Sequence, residues 1–537
     1  MMKEQSFSAS SNKASDWKAI DWPRVRCAVR RLQLRIAKAI RAGKYGKAKA
    51  LSWLLTHSRS AKLLAVKRVT ENKGAKTPGV DNVIWRTDRQ KYAAVQNLKR
   101  RDYRPLPLRR HYIPKKNGKW RPLSIPAMRC RAMQALHALA LKPIAETVGD
   151  RNSYGFREGR SCADAIGQCF CALAKSYAPV WVLEGDIKSC FDRISHKWLL
   201  ANIPMDTRIL RQWLQAGYLE KGRLFPTREG TPQGGILSPL LANLTLDGME
   251  KAIRSRIRPR HDQVNFIRYA DDFVVTARTK ETLETIVKPA VVAFLAERGL
   301  ELSEQKTITT HIQTGFNFLG QNVRKYRNKL VIKPAKDGLK ALVQKTRECI
   351  KGCVGQTAQT LINKLNPIIR GWANYHRYVC SAEAFWTAER IIQDQLYRWA
   401  RRTHPNKSYG WLKRKYFSVE DQYGFATRIR ARTGENAVLR LYSIARTGLE
   451  WHIKVRGEAN PYDPVHTEYF ERRRCFAWRT LPREKTGQLV LAGIYGLRML
   501  TFVQPIAGTP RMGASLERPE PCEGKLSRTV LRGVWAG

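Results

Sequence analysis

Two adjacent acids, Asp271 and Asp272, sit between apolar runs: Phe266-Ile267-Arg268-Tyr269-Ala270 before them and Phe273-Val274-Val275 after them. Runs of this length and composition predict two strands, which puts the acids at the tight turn of a hairpin. Asp-Asp is common in surface turns, but a carboxylate at the end of an apolar strand is costly unless it is paired or binds a cation. Side chains alternate faces along a strand, so the two acids share a face only if the turn bends them. A second apolar strand, Val182-Leu183-Glu184-Gly185-Asp186, also ends on an acid. One carboxylate from each strand end would suit two Mg²⁺ ions ~3.5–4 Å apart, the arrangement that stabilises both oxygens of an in-line phosphoryl displacement. Mg²⁺ needs only one or two protein carboxylates beside phosphates and water.

These acids are informative because the chain is so basic. Lys and Arg number 98 against 44 Asp and Glu, a net charge of +54. Apolar residues make up 43%, with 15 Trp, 19 Tyr and 16 Phe, too much core material for a disordered basic tail. The charge therefore lies on a folded body, which excludes an ordinary neutral metabolic enzyme and favours a polyanionic partner, nucleic acid first. No apolar run approaches the ~18 residues of a membrane span, and the first residues lack the apolar core of a secretory leader, so no membrane partner is expected. The 11 cysteines are irregularly spaced with no C-x-x-C pair, which predicts a reduced, cytosolic compartment. Cys162, Cys169 and Cys171, and the pair Cys349 and Cys353, read as buried thiols rather than metal ligands.

Residues 1–15 are polar and predict disorder. From Asp16 to about Arg68 the pattern is helical, with Val25, Val29, Leu32, Ile36 and Ile40 on one face. Arg24, Arg30, Arg31, Arg35, Lys38 and Arg41 lie opposite, a face that suits solvent or phosphate equally. Arg109 to Pro126 reads as two strands around Lys116-Asn117-Gly118-Lys119, and 129–148 as a helix. After Pro334 the chain turns helical, basic and aromatic; after Pro482 periodicity fades. This order of helices and strands predicts an α+β fold with helical appendages.

Tyr269-Ala270-Asp271-Asp272 resembles the signature of reverse transcriptases, and other blocks follow in that family's order. Asp186 with Phe191 resembles the first catalytic block, and Thr231-Pro232-Gln233-Gly234-Gly235 through Pro239 the second. Gly299 to Thr307 and Phe318-Leu319-Gly320 are similar to the two blocks after the catalytic hairpin. Ile113 to Leu123 resembles the fingers hairpin, and Ser153 to Ser161 is typical except for Glu158, where many members carry Pro. Asn366-Pro367-Ile368-Ile369-Arg370-Gly371-Trp372-Ala373-Asn374-Tyr375-His376 resembles the maturase, or X, domain that serves as a thumb. Thr77 to Asp81 is similar to the amino-terminal block. Together these resemble the group II intron-encoded reverse transcriptase/maturases over about residues 16–475.

The resemblance implies a right-hand polymerase, with fingers, an antiparallel palm sheet and a helical thumb. It divides the chain into a basic N-terminal extension (1–95), fingers and palm (96–330), thumb/X domain (331–450) and a basic C-terminal segment (451–537). It implies an RNA-directed DNA polymerase that copies a primed RNA template from dNTPs and acts as maturase in splicing and retrohoming of its intron. Two Mg²⁺ ions would be held by Asp186, Asp271 and the carbonyl of Ile187, with Asp272 in support. Lys115 and Arg121 would neutralise the triphosphate. Phe191 would exclude a 2′-hydroxyl, and Gln233 and Gly234 would approach the nucleotide with the template. Lys306 is a candidate proton donor to pyrophosphate. Arg157, Arg160, Arg370 and Arg377 are candidate nucleic-acid contacts, against intron RNA, target DNA and primer. Asn366 and Pro367 are read as a helix start, as are Ser238 and Pro239.

Many relatives end in a His-Asn-His endonuclease with two Cys pairs. After residue 450 this chain has only Cys475 and Cys522, with His452 and His466 isolated, so that domain is expected to be absent or replaced. Residues 451–479 fit a DNA contact or a packed terminal subdomain equally, and 482–537 predict poor order. A bacterial cytoplasm or nucleoid is the expected location. Other readings are a splicing-only maturase with a vestigial polymerase, a retron-like reverse transcriptase, and an RNA polymerase. The retained Asp186 and Asp271 argue against the first, the long thumb against the second, and Phe191 against the third.

Overall fold

The N-terminal helical stretch divides where its sequence supplies caps and turns. In the computed structural model, which describes residues 17–114, 118, 120–419, 422–430, 435–477, 489–492 and 499–502, it forms α1 (Trp22–Arg41), α2 (Tyr45–His57) and α3 (Arg59–Glu71). Asp21 caps α1 by accepting from the Arg24 amide at 2.9 Å. Gly43, at φ +68°, turns the chain between α1 and α2, and Ser58 caps α3. α4 (Asp88–Asn97) opens with a reciprocal Thr87/Gln90 capping box. Val29, Ile36 and Ile40 are buried as the periodicity predicts, and α1 packs on α5 (Met128–Val148), which is buried almost all round. The predicted disorder of residues 1–15 lies outside the described residues.

The fingers hairpin is β1 (Leu108–Pro114) and β2 (Trp120–Ile125), antiparallel. Lys115 and most of its turn lie outside the described residues. α6 (Cys162–Leu173) leads to β3 (Trp181–Asp186). The short β4 (Tyr218–Glu220) and β5 (Arg223–Phe225) complete the fingers sheet, ordered β2-β1-β4-β5. α7 (Ser238–Leu246) precedes β6 (Asn265–Tyr269), β7 (Asp272–Ala277) and β8 (Ile308–His311). The palm sheet runs β6-β7-β3-β8, antiparallel throughout. A meander, β9 (Phe316–Phe318), β10 (Gln321–Tyr326) and β11 (Lys329–Pro334), follows it. The expected α+β architecture with an antiparallel palm sheet is what the chain forms.

Beyond Pro334, α8 (Lys336–Lys351), α9 (Ala358–His376) and α10 (Ala382–Thr403) enclose a core of their own around Leu361, Leu365, Ile369, Phe385, Leu396 and Trp399. This region is not all helix, because Ala426–Arg430 and Asn436–Arg440 pair as a hairpin against it. One expected helix start and one expected cap are corrected. Asn366 and Pro367 lie inside α9, which Thr357 caps instead. The Asn366 side chain accepts from the Tyr442 amide at 2.7 Å and donates to the Arg440 carbonyl at 3.1 Å, fastening the hairpin. α7 does start at Ser238, with Pro239 in its first turn, but the Ser238 hydroxyl donates to the Pro232 carbonyl at 2.7 Å rather than capping the helix. Most of 482–537 lies outside the described residues; Leu489–Ala492 and Met499–Phe502 pair antiparallel. Among the described residues no helix is long and apolar enough to cross a membrane.

Candidate active site

β3 and β7 pair so that Asp186 lies opposite Asp272. The β6–β7 turn is Ala270-Asp271, with Ala270 at φ +58°, a conformation L-residues adopt reluctantly. Asp271 lies in that bend, near enough to Asp186 for the Asp186 charge to act on its carboxyl. Two glycines permit the construction. A Cβ on Gly185 would lie 2.1 Å from the Phe273 ring, and one on Gly155 would lie 2.3 Å from the Ala270 nitrogen.

Beneath the turn lies Arg268, wholly buried in the middle of β6. Its guanidinium donates to the Ala270 carbonyl at 3.2 Å, to Asn243 Oδ1 at 3.3 Å and to Asp247 Oδ1 at 2.5 Å. Asn243 in turn donates to the Gly155 carbonyl at 2.8 Å. Arg268, Asn243 and Asp247 were not among the residues expected from sequence. The available signal was an arginine in the middle of an apolar strand, where a charge survives only if a buried acid faces it.

The carboxylates share one field. Burial, and then the charge of Asp186, raise the Asp271 carboxyl, while Arg121 and Lys306 pull it down. Burial and the charges of Asp271 and Asp186 push Asp272 up to about 6. Lys306 Nζ stands 3.0 Å from Asp186 Oδ2, so a cation already occupies this cluster. Ile187 bridges Leu302 through its neighbours: Lys188 donates to the Glu301 carbonyl and Ser303 to the Asp186 carbonyl. Ile187's own carbonyl takes no part in that pairing. Two close carboxylates and a carbonyl are hard oxygen donors, the set that suits Mg²⁺ completed by phosphates and water. Among the described residues no three His, Cys, Asp or Glu side chains gather tightly enough to hold a metal alone. Cys162, Cys169, Cys171, Cys349 and Cys353 are free thiols.

Phe191 is half-buried and meets the Phe156 ring edge-on at 6.4 Å. Its carbonyl accepts from the Thr231 amide at 2.6 Å, which docks the Thr231–Pro239 loop beside it. The Gln233 carboxamide donates to both Asp192 carboxylate oxygens, at 3.2 and 3.0 Å, and the Gln233 main-chain carbonyl accepts from the Ser124 amide at 2.6 Å. Gly234, at φ +116°, makes a close approach within the protein: a Cβ there would lie 2.7 Å from the Ser124 carbonyl. The close approach is to the fingers strand β2, which ties the loop to the hairpin that bears Arg121.

Three of the expected nucleic-acid contacts are engaged inside the protein. Arg157 is buried, pairs with Glu146 at 2.8 Å and donates to the Asp150 carbonyl at 2.5 Å. Arg160 donates to the carbonyls of Arg151 at 2.6 Å and Gly457 at 2.9 Å. Arg377 pairs with Glu450 at 2.6 Å. Buried carbonyls and acids need donors, and these arginines supply them. Only Arg370 of the four is exposed, with its guanidinium over the Tyr442 ring at 5.3 Å.

The segment from Trp451 to Arg473 folds onto the palm. Buried Asp164, in the first turn of α6, accepts from His452 Nε2 at 2.9 Å, the Val455 amide at 2.6 Å and Arg473 at 2.8 Å. Burial alone would raise this carboxyl; His452, Arg473 and Ser161 bring it down to about 2. His452 is therefore not isolated. Tyr462 donates to Glu158 at 2.6 Å, which gives the atypical Glu158 a partner within the same chain. Arg30 donates to the Pro461 carbonyl and Arg41 pairs with Asp463, so part of the basic face of α1 serves this docking.

With the geometry in place, comparison with known proteins is direct. Residues 113–323 match the family described as reverse transcriptase (RNA-dependent DNA polymerase). Residues 17–98 match the N-terminal domain of reverse transcriptase, and 339–417 the group II intron maturase-specific domain. Protein YkfC of Escherichia coli is 35% identical over 305 residues, which cover 49% of this chain and 80% of YkfC. The chain belongs to the group II intron reverse transcriptase/maturase family. Group II intron-encoded protein LtrA of Lactococcus lactis is 30% identical over 333 residues, 49% of this chain and 55% of LtrA. An uncharacterized 91 kDa protein in the cob intron of Schizosaccharomyces pombe is 27% identical over 427 residues, 64% of this chain and 52% of that protein. The chain thus spans about half the length of these last two relatives. As family members are, it is an RNA-directed DNA polymerase by class.

Proposed function

We propose that this reverse transcriptase extends a primer on an RNA template by two-metal nucleotidyl transfer, and that the same chain assists splicing and retrohoming of a group II intron RNA. The observation that carries the reading is the register that sets Asp186 opposite Asp272, with Asp271 in the adjoining turn within reach of the Asp186 charge and Lys306 already bound to Asp186. Asp186, Asp271 and the Ile187 carbonyl would hold Mg²⁺, with Asp272 beside them. When bound, the two ions supply Lewis-acid stabilisation of the attacking and leaving oxygens.

The remaining work falls to side chains. Arg121, close enough to bias Asp271, faces negative charge as it builds on the pyrophosphate. Lys306 must release Asp186 when the cluster takes up metal, which frees its ammonium to turn to the leaving group and donate a proton there. Phe191, braced by Phe156, walls the space a 2′-hydroxyl would need. Asp192 holds the Gln233 carboxamide in one orientation next to that space. The exposed Arg370 is the candidate contact to RNA.

Primer extension on a homopolymer RNA template with Mg²⁺ tests this reading. Asp186→Asn and Asp271→Asn should each lower incorporation by at least about a thousandfold, a loss on the scale of one essential electrostatic group, with template–primer affinity little changed. Wild-type extension by either variant would remove the assignment.

A further inference from the structure

The loop from Thr231 to Pro239 presents Gln233. Its start is tied to the Phe191 carbonyl through the Thr231 amide, and its middle to β2 through the Ser124 amide and the Gln233 carbonyl. Its far end is held from outside the loop, by Gln134 of α5. The Ile236 amide donates to Gln134 Oε1 at 2.9 Å, across 102 residues of chain, and Gln134 is buried. α7, which follows the loop, opens without a side-chain cap, and the Ser238 hydroxyl is committed to the Pro232 carbonyl. Gln134 thus takes up from α5 a main-chain donor at the helix entry, as a cap would from within the loop. Gly235 makes room for it: a Cβ there would lie 3.1 Å from Gln134 Oε1 and 2.8 Å from Ser238 Oγ.

Hydrogen bonds matter here because packing alone does not fix the loop. Gly230 to Gln233 line a cavity of about 240 Å³, faced by Leu108, Arg110, Trp213 and Tyr218. A backbone segment beside open space loses few van der Waals contacts when it shifts, so its ties set its position. Gln233 stands between two of them, Ser124 on β2 and Gln134 on α5. Asp192 aims the Gln233 carboxamide, but that aim is only as fixed as the main chain beneath it. α5 is a firm base for the second tie, since α1, α3 and α7 all pack against it.

We infer that Gln134 is a positioning residue for nucleotide binding: by holding the Ile236 amide it fixes the loop that presents Gln233, and so sets part of the affinity for the incoming nucleotide. The inference rests on the polymerase reading above. Gln134 acts through the main chain of the loop rather than on the nucleotide itself. The acids stand elsewhere, on β3 and in the β6–β7 turn, so loss of the tie should appear in KM rather than in kcat.

The test uses the full chain, poly(rA)/oligo(dT) and dTTP. Gln134→Met, which nearly keeps the volume and removes the acceptor, should raise KM for dTTP about tenfold, the loss expected for one hydrogen bond. Its kcat and its affinity for poly(rA)/oligo(dT) should stay within about twofold of wild type. Gln134→Asn, too short to reach Ile236, should behave alike. Gln33→Met is the control for stability. Gln33 is also buried and ties α1 to α5, donating at 2.8 Å to the Leu139 carbonyl, which Pro143 leaves without a helical partner. It should lower the thermal midpoint as Gln134→Met does and leave KM for dTTP unchanged. In a Gln233→Ala background, Gln134→Met should add less than about twofold to KM, because the side chain that the tie positions is gone. A wild-type KM for Gln134→Met or, should that variant not fold, for Gln134→Asn overturns the inference and leaves the polymerase reading standing. An equal rise in KM for Gln33→Met, or an undiminished rise in the Gln233→Ala background, overturns it as well. No extension by the unmodified chain overturns the polymerase reading, and this inference with it.

Discussion

Arg268 illustrates how a single residue holds a site it does not enter. Its guanidinium cancels the charge of Asp247 below the turn and grips the Ala270 carbonyl within it. Burial raises the Asp247 carboxyl while Arg268 opposes that rise, so the two charges depend on each other. Arg268→Met should cost roughly 3–5 kcal/mol, because Asp247 would be left charged and unpaired in the core. Arg268→Met with Asp247→Asn should recover most of that stability, since neither charge is then stranded. Primer extension should stay low in the pair, because the Ala270 carbonyl remains unheld. Urea unfolding alongside extension checks both arms; recovery of activity together with stability would reduce Arg268 to a packing role. The two carboxylates proposed as catalytic could be picked out in the sequence because each ends an apolar run. Arg268 could not be assigned a role there, because its partners come from α7 and the residue just after it.

At the level of elements, the segment Trp451–Arg473 behaves as a strap over the palm, and Asp164 is its anchor. The folded Asp164 carboxyl titrates near 2, below the ordinary value of 3.8. A depressed carboxyl adds stability that is fully present above the unfolded value and is lost as pH falls through the folded one. The strap should therefore hold throughout neutral pH and begin to loosen only below about pH 4. Asp164→Asn should lower stability by roughly 3–5 kcal/mol, since Arg473 loses its buried partner. It should also expose Trp451–Arg473 to limited proteolysis at pH 7, with mass spectrometry locating the cuts; an unchanged digestion pattern would contradict the anchor. The sequence left this segment open between a DNA contact and a packed subdomain. Its basic and aromatic residues serve either purpose, and only the buried acid 288 residues away from His452 decides for packing. The same docking employs Glu158, and also Arg160, Arg30 and Arg41, arginines whose charge alone suggested other work.

Across the whole molecule, an excess of +54 charges must dominate association with any polyanion. Affinity for template–primer should fall by about a thousandfold or more between roughly 50 and 200 mM salt, as counterion release over many phosphates requires. Filter binding across that range measures it, and a shallow slope would mean that the charge is used internally, as it is at Arg157, Arg160 and Arg377. By itself the sequence determined the α+β class, the hairpin and strand that carry the acids, and the cationic character, because each follows from local periodicity or from a sum over residues. The three-dimensional fold alone decided which arginines reach solvent, that Gly234 yields to Ser124, and that Asn366 lies within a helix. Those outcomes depend on partners distant in the chain, and local sequence carries no term for the distance between side chains that only packing brings together.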